Sequence, residues 1–368
     1  MKKVVIGMSG GVDSSVAAYL LKEQGYEVIG LFMRNWDSSI NNDIMGNPTI
    51  DNEICTQEQD YNDALKVCEQ LNIKLHRVDF VKEYWDNVFL YFLEELKKGR
   101  TPNPDVMCNK YIKFDYFIKY AKKLKADYIA TGHYARIENN LLLKGIDHNK
   151  DQTYFLNMLS KKQLENVLFP IGNLNKEEVR KIANKLKLDT ANKKDSTGIC
   201  FIGERNFKEF LKNYLPNKEG DIVDIKTNKL IGKHIGLMYY TIGQRKGLDI
   251  GGSNDKIYVV GKNLEKNILY ICHEENEEYL YSDSAIIEQV NWIKKPDNKN
   301  LKAKFRYRQK DNDVEIEYLS NDELLVKYDN LKAITPGQFC VFYEGDVCCG
   351  GGIIKEVQKN NKKLWYLQ

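Results

Sequence analysis

Residues 3–8, KVVIGM, form a β-branched run that stops at Ser9-Gly10-Gly11-Val12-Asp13-Ser14-Ser15, after which Val16, Ala17, Leu20 and Leu21 recur at helical spacing up to Gly25. A strand that passes through a glycine- and serine-rich turn directly into a helix commits the chain to a βα unit, whose next strand returns parallel to the first. The expected second strand is EVIGLFM at 27–33. A helical segment with Ala64, Leu65, Cys68 and Leu71 precedes a third strand at 73–79. Val81, Trp85, Val88, Phe89, Phe92 and Leu96 then mark an amphipathic helix over 81–98 that Gly99 stops, and a further helix leads into the strand DYIAT at 127–131. Strands and helices alternating at this interval predict a parallel sheet covered on both faces, with ligands beyond the carboxyl ends of its strands.

The 9–15 turn has the chemistry of an anion cradle. Its glycines let backbone approach a ligand closely, its serines add hydroxyl donors, and the helix behind it offers unpaired N–H groups and a positive dipole end. The lysine of a GxxxxGK[ST] loop is absent and the glycine spacing is not that of GxGxxG. A tight turn alone would not require three serines and an aspartate, so the segment predicts phosphate binding.

Farther along, Asn175 and Glu178 are spaced as a capping box for a helix at 176–187, and another helix is expected at 207–214 before Pro216. From about 217 the pattern changes to short β runs, DIVDI, GLMYYTIG, IYVVG and ILYI, divided by Gly and Asn. An acidic link, HEENEE at 273–278, precedes strands at 302–309, 314–319 and 323–328 and a hairpin at 344–346. At 368 residues the chain exceeds what one core supports. We therefore expect an α/β domain over 1–215, a small β-rich central domain over 216–277, and a C-terminal β-barrel over 278–368.

A net charge of +3 does not by itself mark a nucleic-acid binder, so any such partner needs a local basic surface. One is suggested at 302–310, where Lys302, Lys304, Arg306, Arg308 and Lys310 alternate with Ala303, Phe305 and Tyr307, as on the two faces of a strand. Gln244, Arg245 and Lys246 with Tyr239 and Tyr240 suggest a second patch. There is no run of 18 apolar residues and no signal-peptide core, so a cytoplasmic protein with no membrane attachment is expected. In that setting eight cysteines do not predict a disulfide framework, and with no CxxC and no zinc spacing no metal site is expected. Cys68, Cys272, Cys340, Cys348 and Cys349 sit in core-like runs. Cys108 and Cys200 sit in loop-like contexts near Lys110, Lys193 and Lys194, which favour the reactive thiolate.

SGGVDSS resembles the PP-loop of AMP-forming ATP pyrophosphatases, which implies cleavage of ATP between its α and β phosphates. With GLFMRNWD, GRTPNPDVMCNK, ATGHYARI, KDQTYFL, KKDSTGICFIG, YTIGQRKGL, RYRQ and PGQ, nearly the whole chain resembles the bacterial tRNA-specific 2-thiouridylases. That family implies an adenine nucleotide alpha hydrolase-like PP-loop domain, a central domain and a C-terminal barrel. It implies thiolation of the wobble uridine of tRNA, with ATP and Mg²⁺ as cofactors and a persulfide donor fed by a cysteine desulfurase relay. On its positions, Cys108 matches the nucleophile and Cys200 the persulfide carrier, and Asp105 is a candidate acid/base. Gly7, Met8, Ser9, Gly10, Gly11, Val12, Asp13, Ser14, Met33 and Gly132 match the ATP contacts. Asn103, Pro104 and Asp105 match the target-base loop, and His133, Lys150, Asp151, Gln152, Arg306, Tyr307, Arg308 and Gln338 the tRNA-contacting segments. The 38–54 loop is longer than the family usually has, Asp115 stands where a basic residue is expected, and Cys349 replaces an aliphatic residue. Two other classes fit parts of the pattern: a PP-loop ligase that adenylates a small carbonyl substrate and adds ammonia, and a non-catalytic RNA-binding protein. The first leaves the loop cysteines without a use and the second leaves the phosphate loop without one.

Overall fold

The computed structural model of the chain describes residues 1–49, 56–195, 198–200, 202–203, 205–248, 250 and 256–367. Ser196, Thr197 and Phe201 of the 193–203 motif, and 50–54 of the long loop, lie outside the described residues.

Five strands form a parallel sheet in the order β3-β2-β1-β4-β7: β1 (Lys3–Met8), β2 (Glu27–Arg34), β3 (Lys74–Asp79), β4 (Tyr128–Ala130) and β7 (Val167–Leu168). The order reverses at β1, whose neighbours are β2 and β4, and this opens the crevice where such sheets bind ligands. β1 is buried almost throughout, with Val4, Val5 and Ile6 at 0% exposure, because helices cover both its faces. The helix Val12–Glu23 starts at the crevice and packs on the helix Lys176–Lys185, whose capping box joins Asn175 N to Glu178 at 2.7 Å.

Two helical runs differ from ordinary α-helices. The 81–97 run is α over Val81–Tyr84, π over Trp85–Phe89 and α again over Leu90–Lys97. The 104–123 run passes from Pro104–Met107 through a π segment, Cys108–Tyr116, into Phe117–Lys123, and Phe114 breaks helical geometry at φ −121°. The Gln163 amide fills the gap this leaves, donating to the carbonyls of Lys110 (3.1 Å) and Phe114 (2.7 Å).

A hairpin of β5 (Ala135–Glu138) and β6 (Leu141–Lys144) leaves the first domain and joins the C-terminal sheet. The central domain is a four-stranded sheet in the order β10-β11-β8-β9: β8 (Gly220–Asp224), β9 (Leu230–His234), β10 (Ile257–Asn263) and β11 (Ile268–His273). Two expectations there are corrected: GLMYYTIG holds a 3₁₀ turn, Leu237–Tyr239, and the acidic link is a 3₁₀ segment, Glu274–Leu280.

The C-terminal strands β12 (Tyr281–Trp292), β13 (Asn300–Lys304), β14 (Asn312–Tyr318), β15 (Glu323–Lys332), β16 (Phe339–Glu344) and β17 (Val347–Lys359) close into a barrel, since β12 pairs with both β15 and β17. Closure removes the edges on which another chain could pair, while the overhanging ends of β17 take β6 at Val347 and the short strand Lys362–Lys363 at Gln358 and Lys359. Its interior holds Phe305, Phe342, Val326 and Ile354 at 0% exposure, together with Cys340 and Cys349. Cys68, Cys272 and Cys348 are likewise buried core residues, as their sequence settings predict.

Candidate active site

At the crevice, Gly10 adopts φ +70° with its α-carbon against the Asp60 carbonyl, where an added Cβ would lie 2.2 Å from that oxygen. Only glycine fits there. The turn is held from within: Ser14 Oγ donates to Gly11 O (3.1 Å) and accepts from Ser9 N (3.2 Å), and Ser15 Oγ donates to Gly11 O (2.8 Å). Gly11 occupies the N-cap with no side chain closing the helix end, which leaves that end's N–H groups to a ligand. Gly132, across the crevice on the chain leaving β4, comes so close that a Cβ would sit 2.8 Å from Ser14 N. Met33 at the end of β2 lies 3.4 Å from where a Cβ on Gly7 would be. Gly7 and Met33, and Gly132 and the Asp13–Ser14 backbone, thus stand side by side at the crevice, while Met8 and Val12 point into the core.

Cations surround this crevice. Lys176 Nζ lies 2.8 Å from both oxygens of Asp13 and 2.8 Å from Asp195, and Tyr134 OH also donates to Asp13 at 2.8 Å. Asp195 takes Lys150 (2.7 Å) and Arg180 (3.0 Å) as well. Burial would raise its carboxyl, but Lys150 and Lys176 outweigh that and hold it at about 2. Lys176 and Arg180 carry no assignment in the sequence reading. In sequence they read as the polar face of an ordinary amphipathic helix, and only the fold brings them to the phosphate loop, where the Lys176 side chain is 12% exposed.

Cys108 and Cys200 are brought together. Cys108, at 0% exposure, lies with its Sγ 3.8 Å from the Sγ of the half-buried Cys200. Both are reduced. The loop-like setting expected for Cys108 is corrected: it opens the π segment that follows an α turn capped by Asn103, whose side chain accepts from Asp105 N at 3.2 Å with Pro104 at the first position. Asp105 accepts from Cys200 N (3.1 Å) and Tyr84 OH donates to Cys200 O (2.9 Å), so two side chains fix the loop carrying Cys200. Its far end is secured by Arg205, whose buried guanidinium pairs with Asp43 at 2.8 Å while Trp36 Nε1 donates to the same carboxylate at 2.9 Å.

The two thiols are electrostatically unequal. The hydrogen bond from Cys108 and, behind it, the Lys113 ammonium draw Cys200 below the usual thiol range against the opposing effect of burial. Burial, and the neighbouring Cys200 sulfur, push Cys108 well above that range. Burial also raises Asp105, opposed by the Cys200 N–H and by Lys113. Lys113 is the functional candidate that sequence reasoning missed. On an α-helix it would point away from Cys108, but i→i+5 winding turns the fifth residue back toward the first.

Several residues matched to RNA contacts face inward. His133 is 7% exposed, bonded through Nδ1 to Thr131 Oγ1 at 2.7 Å, and burial and Lys113 keep it neutral. Asp151, 3% exposed, accepts from Gly145 N and Thr153 N at 3.2 Å. Gln152 accepts from Tyr134 N at 3.0 Å, and Tyr307 packs on Phe155 with centroids 4.4 Å apart. The basic stripe is corrected too. The strand ends at Lys304, which is buried toward Asp151 at 3.6 Å, because Gln309 closes a turn by bonding Phe305 N at 2.9 Å. Arg306 turns one nitrogen onto Ala333 O (2.6 Å) and Thr335 Oγ1 (2.9 Å) yet stays exposed, as do Lys302, Arg308 and Lys310. Tyr239 and Tyr240 are buried and offer no stacking face.

Comparison with known proteins places this geometry in a lineage. Family profiles described as a tRNA methyl transferase HUP domain, a tRNA methyl transferase PRC-barrel domain and an aminomethyltransferase beta-barrel domain match residues 2–204, 208–273 and 282–354. Proteins named tRNA-specific 2-thiouridylase MnmA are similar over essentially the full chain. That of Mycoplasma capricolum is 60% identical over 97% of this chain and 100% of its own.

The chain belongs to the MnmA family.

The MnmA of Mycoplasmopsis synoviae is 59% identical over 100% of this chain and 99% of its own, and that of Staphylococcus carnosus 55% over 99% and 98%. Among the described residues, this MnmA-family chain has no helix long and apolar enough to cross a membrane.

Proposed function

We propose that the chain is a tRNA-uridine 2-sulfurtransferase that activates the C2 carbonyl of a wobble uridine with ATP and replaces its oxygen by sulfur. The observation that carries this reading is the pair of sulfurs 3.8 Å apart on segments 92 residues apart in sequence, in the same domain as an open helix N-terminus behind a serine-glycine turn. A ligase that delivers ammonia has no use for that pair. In this division, 1–215 activates and transfers, and 216–277 and 278–368 present the RNA.

The Ser9–Ser15 turn holds the triphosphate, with Gly7, Met33 and Gly132 bordering the adenosine side. Lys176, Lys150 and Arg180 supply positive charge for the departing pyrophosphate. Among the described residues, no three His, Cys, Asp or Glu side chains gather as a metal site, and Asp13 is engaged by Lys176. Mg²⁺ would enter with the nucleotide and offset its phosphate charge. The uridine O2 attacks the α-phosphorus and pyrophosphate leaves, so the oxygen can later depart as AMP instead of as hydroxide. Cys200, the more acidic thiol, carries the outer sulfur as a persulfide received from a desulfurase relay. That sulfur attacks C2 and expels AMP. Cys108 then attacks the inner sulfur of Cys200, which releases the thiocarbonyl and leaves a Cys108–Cys200 disulfide for an external thiol to reduce. Asn103, Pro104 and Asp105 border the place where the flipped base enters. RNA contact falls to the exposed Lys302, Arg306, Arg308 and Lys310 and to the cluster around Lys150.

The test is pyrophosphate release from ATP with and without unmodified tRNA, followed by nucleoside analysis of the RNA. Release that requires tRNA, together with 2-thiouridine at the wobble position, is expected. Release without tRNA, or a product that contains added nitrogen, would return the chain to the ligase class.

A further inference from the structure

Just before the Asn103–Cys108 turn, Gly99 N and Arg100 N still bond the preceding helix, at Leu96 O and Glu95 O (both 3.0 Å), but the other polar contacts of 99–102 reach largely into the other two domains. Lys262 Nζ of the central sheet donates to Gly99 O (2.8 Å), and Arg100 reaches Glu288 of the barrel (2.7 Å) as well as its local partner Glu95 (3.2 Å). Thr101 N donates to Pro336 O (2.9 Å), and Thr101 Oγ1 meets Thr241 Oγ1 of the central domain at 3.4 Å. Gln338 closes the set, its Nε2 donating to Thr101 O (2.8 Å) and, at 3.5 Å, to Pro102 O. The turn that carries Gln338 has no room to shift. Gly337 is at φ +92°, and a Cβ there would lie 2.8 Å from Arg100 Cβ and 2.9 Å from Thr101 N. Gln338 N is itself bonded to Thr335 O (3.2 Å), beside the Thr335 hydroxyl and Ala333 carbonyl that Arg306 grips.

We propose that Gln338 is a positioning residue for catalysis: its amide, spent on Thr101 and Pro102, lets the barrel set the angle at which the Asn103–Cys108 turn meets the target base and Cys200. Asp105 lies three positions after Pro102, and Cys108 six. The turn opens the continuous 104–123 helical run, and in the segment leading into it Thr101 and Pro102 bond, among the described residues, to the other domains alone, so their own domain does not fix the angle of entry. A donor fixed on a closed barrel supplies the missing constraint, much as outer residues orient metal ligands. This rests on the sulfurtransferase reading above. It assigns Gln338 to the catalytic loop, where the family resemblance had pointed to RNA.

The variant is Gln338→Met, which keeps the length and apolar packing of the side chain and removes its donor. Gln338→Glu is the companion: it keeps the shape and presents only acceptors to the two carbonyls. Single-turnover thiolation of saturating tRNA by enzyme preloaded with persulfide is measured beside tRNA affinity and melting temperature. Loss of one positioning hydrogen bond should slow the single-turnover rate about fivefold in Gln338→Met, and more in Gln338→Glu. The tRNA dissociation constant should stay within about twofold and the melting temperature should not move. A weaker dissociation constant with an unchanged rate at saturation would make Gln338 an RNA contact and overturn the proposal, as would an unchanged rate with unchanged affinity. A lower melting temperature with proportionate loss of all activities would make the bond merely structural, which also overturns it. Wild-type enzyme is the control: if it thiolates no tRNA, the underlying function fails, whereas an active wild type with an unaffected Gln338→Met removes only this inference.

Discussion

Mild oxidation of the resting enzyme should join Cys108 to Cys200 and should stabilise the fold measurably. The two sulfurs stand 3.8 Å apart, against a bonded separation of about 2 Å, so side-chain rotation and a small loop adjustment suffice. The cross-link would close a loop of 92 residues' separation, for which the chain-entropy relation gives about 4.6 kcal/mol at 25 °C. The buried Arg205–Asp43 pair and the Asp105 and Tyr84 bonds hold the Cys200 loop in the folded state and oppose some of that adjustment, so a gain of about 2–4 kcal/mol is the expectation. The assay is urea unfolding of diamide-treated and fully reduced protein, with peptide mapping under non-reducing conditions to locate the bond. Cys108→Ser, treated in the same way, should show no gain. If mapping finds another pair, or finds Cys108–Cys200 with no rise in midpoint, the resting thiols are not poised as described and the turnover scheme loses its geometric basis.

Gly132→Ala would place a methyl 2.8 Å from Ser14 N and 2.9 Å from the Asp13 carbonyl carbon, so it should weaken ATP binding at least about tenfold by calorimetry while tRNA affinity holds; wild-type ATP affinity would show that the two strand ends do not share a ligand. Lys113→Met removes a cation that favours the Cys200 thiolate, so the pH midpoint of Cys200 alkylation should move upward, and an unmoved midpoint would leave the thiol asymmetry to Cys108 alone. Lys262, 3% exposed, is pulled by burial from 10.5 to about 7. Between those values the unfolded chain binds the proton that the folded protein has released, so stability rises with pH over that window. Wild type should gain at most about 2.7 kcal/mol from pH 7 to 9 in urea titrations, and Lys262→Met should lose that slope. Parallel slopes in the two proteins would mean the ammonium stays charged on Gly99 O.

The first βα unit was readable because a change of period, from the strand's two to the helix's 3.6, coincides with Gly10 and Gly11, and only a φ of +70° against Asp60 explains a glycine there. The capping box at Asn175 was equally local. What stayed hidden depended on register or on distance along the chain. Cys108 and Lys113 look unrelated at α-helical spacing, and nothing within 108–116 announces π winding, because the Gln163 side chain that supports it comes from another segment. The alternation of 302–310 continues in sequence beyond the point where Gln309 folds it into a turn, and that turn contains neither glycine nor proline. Tyr239 and Tyr240 look exposed beside Arg245, but Tyr239 OH is spent on Leu215 O at 3.0 Å. Such residues are placed by partners that no local pattern names.

The hairpin β5–β6 also sets a schedule for synthesis. Its outer strand finds its barrel partner only at Val347, which faces Leu143, and Lys144 N bonds Asp346 O at 2.9 Å. At about 5–20 residues per second, some 200 intervening residues mean that the hairpin waits about 10–40 s after it leaves the ribosome before its neighbour exists. During that interval Leu142, which ends at 0% exposure, and Lys144, which ends buried against Asp311, have no cover. Nascent chains halted before residue 346 should therefore bind holdase chaperones through 135–144, and chains released after it should not.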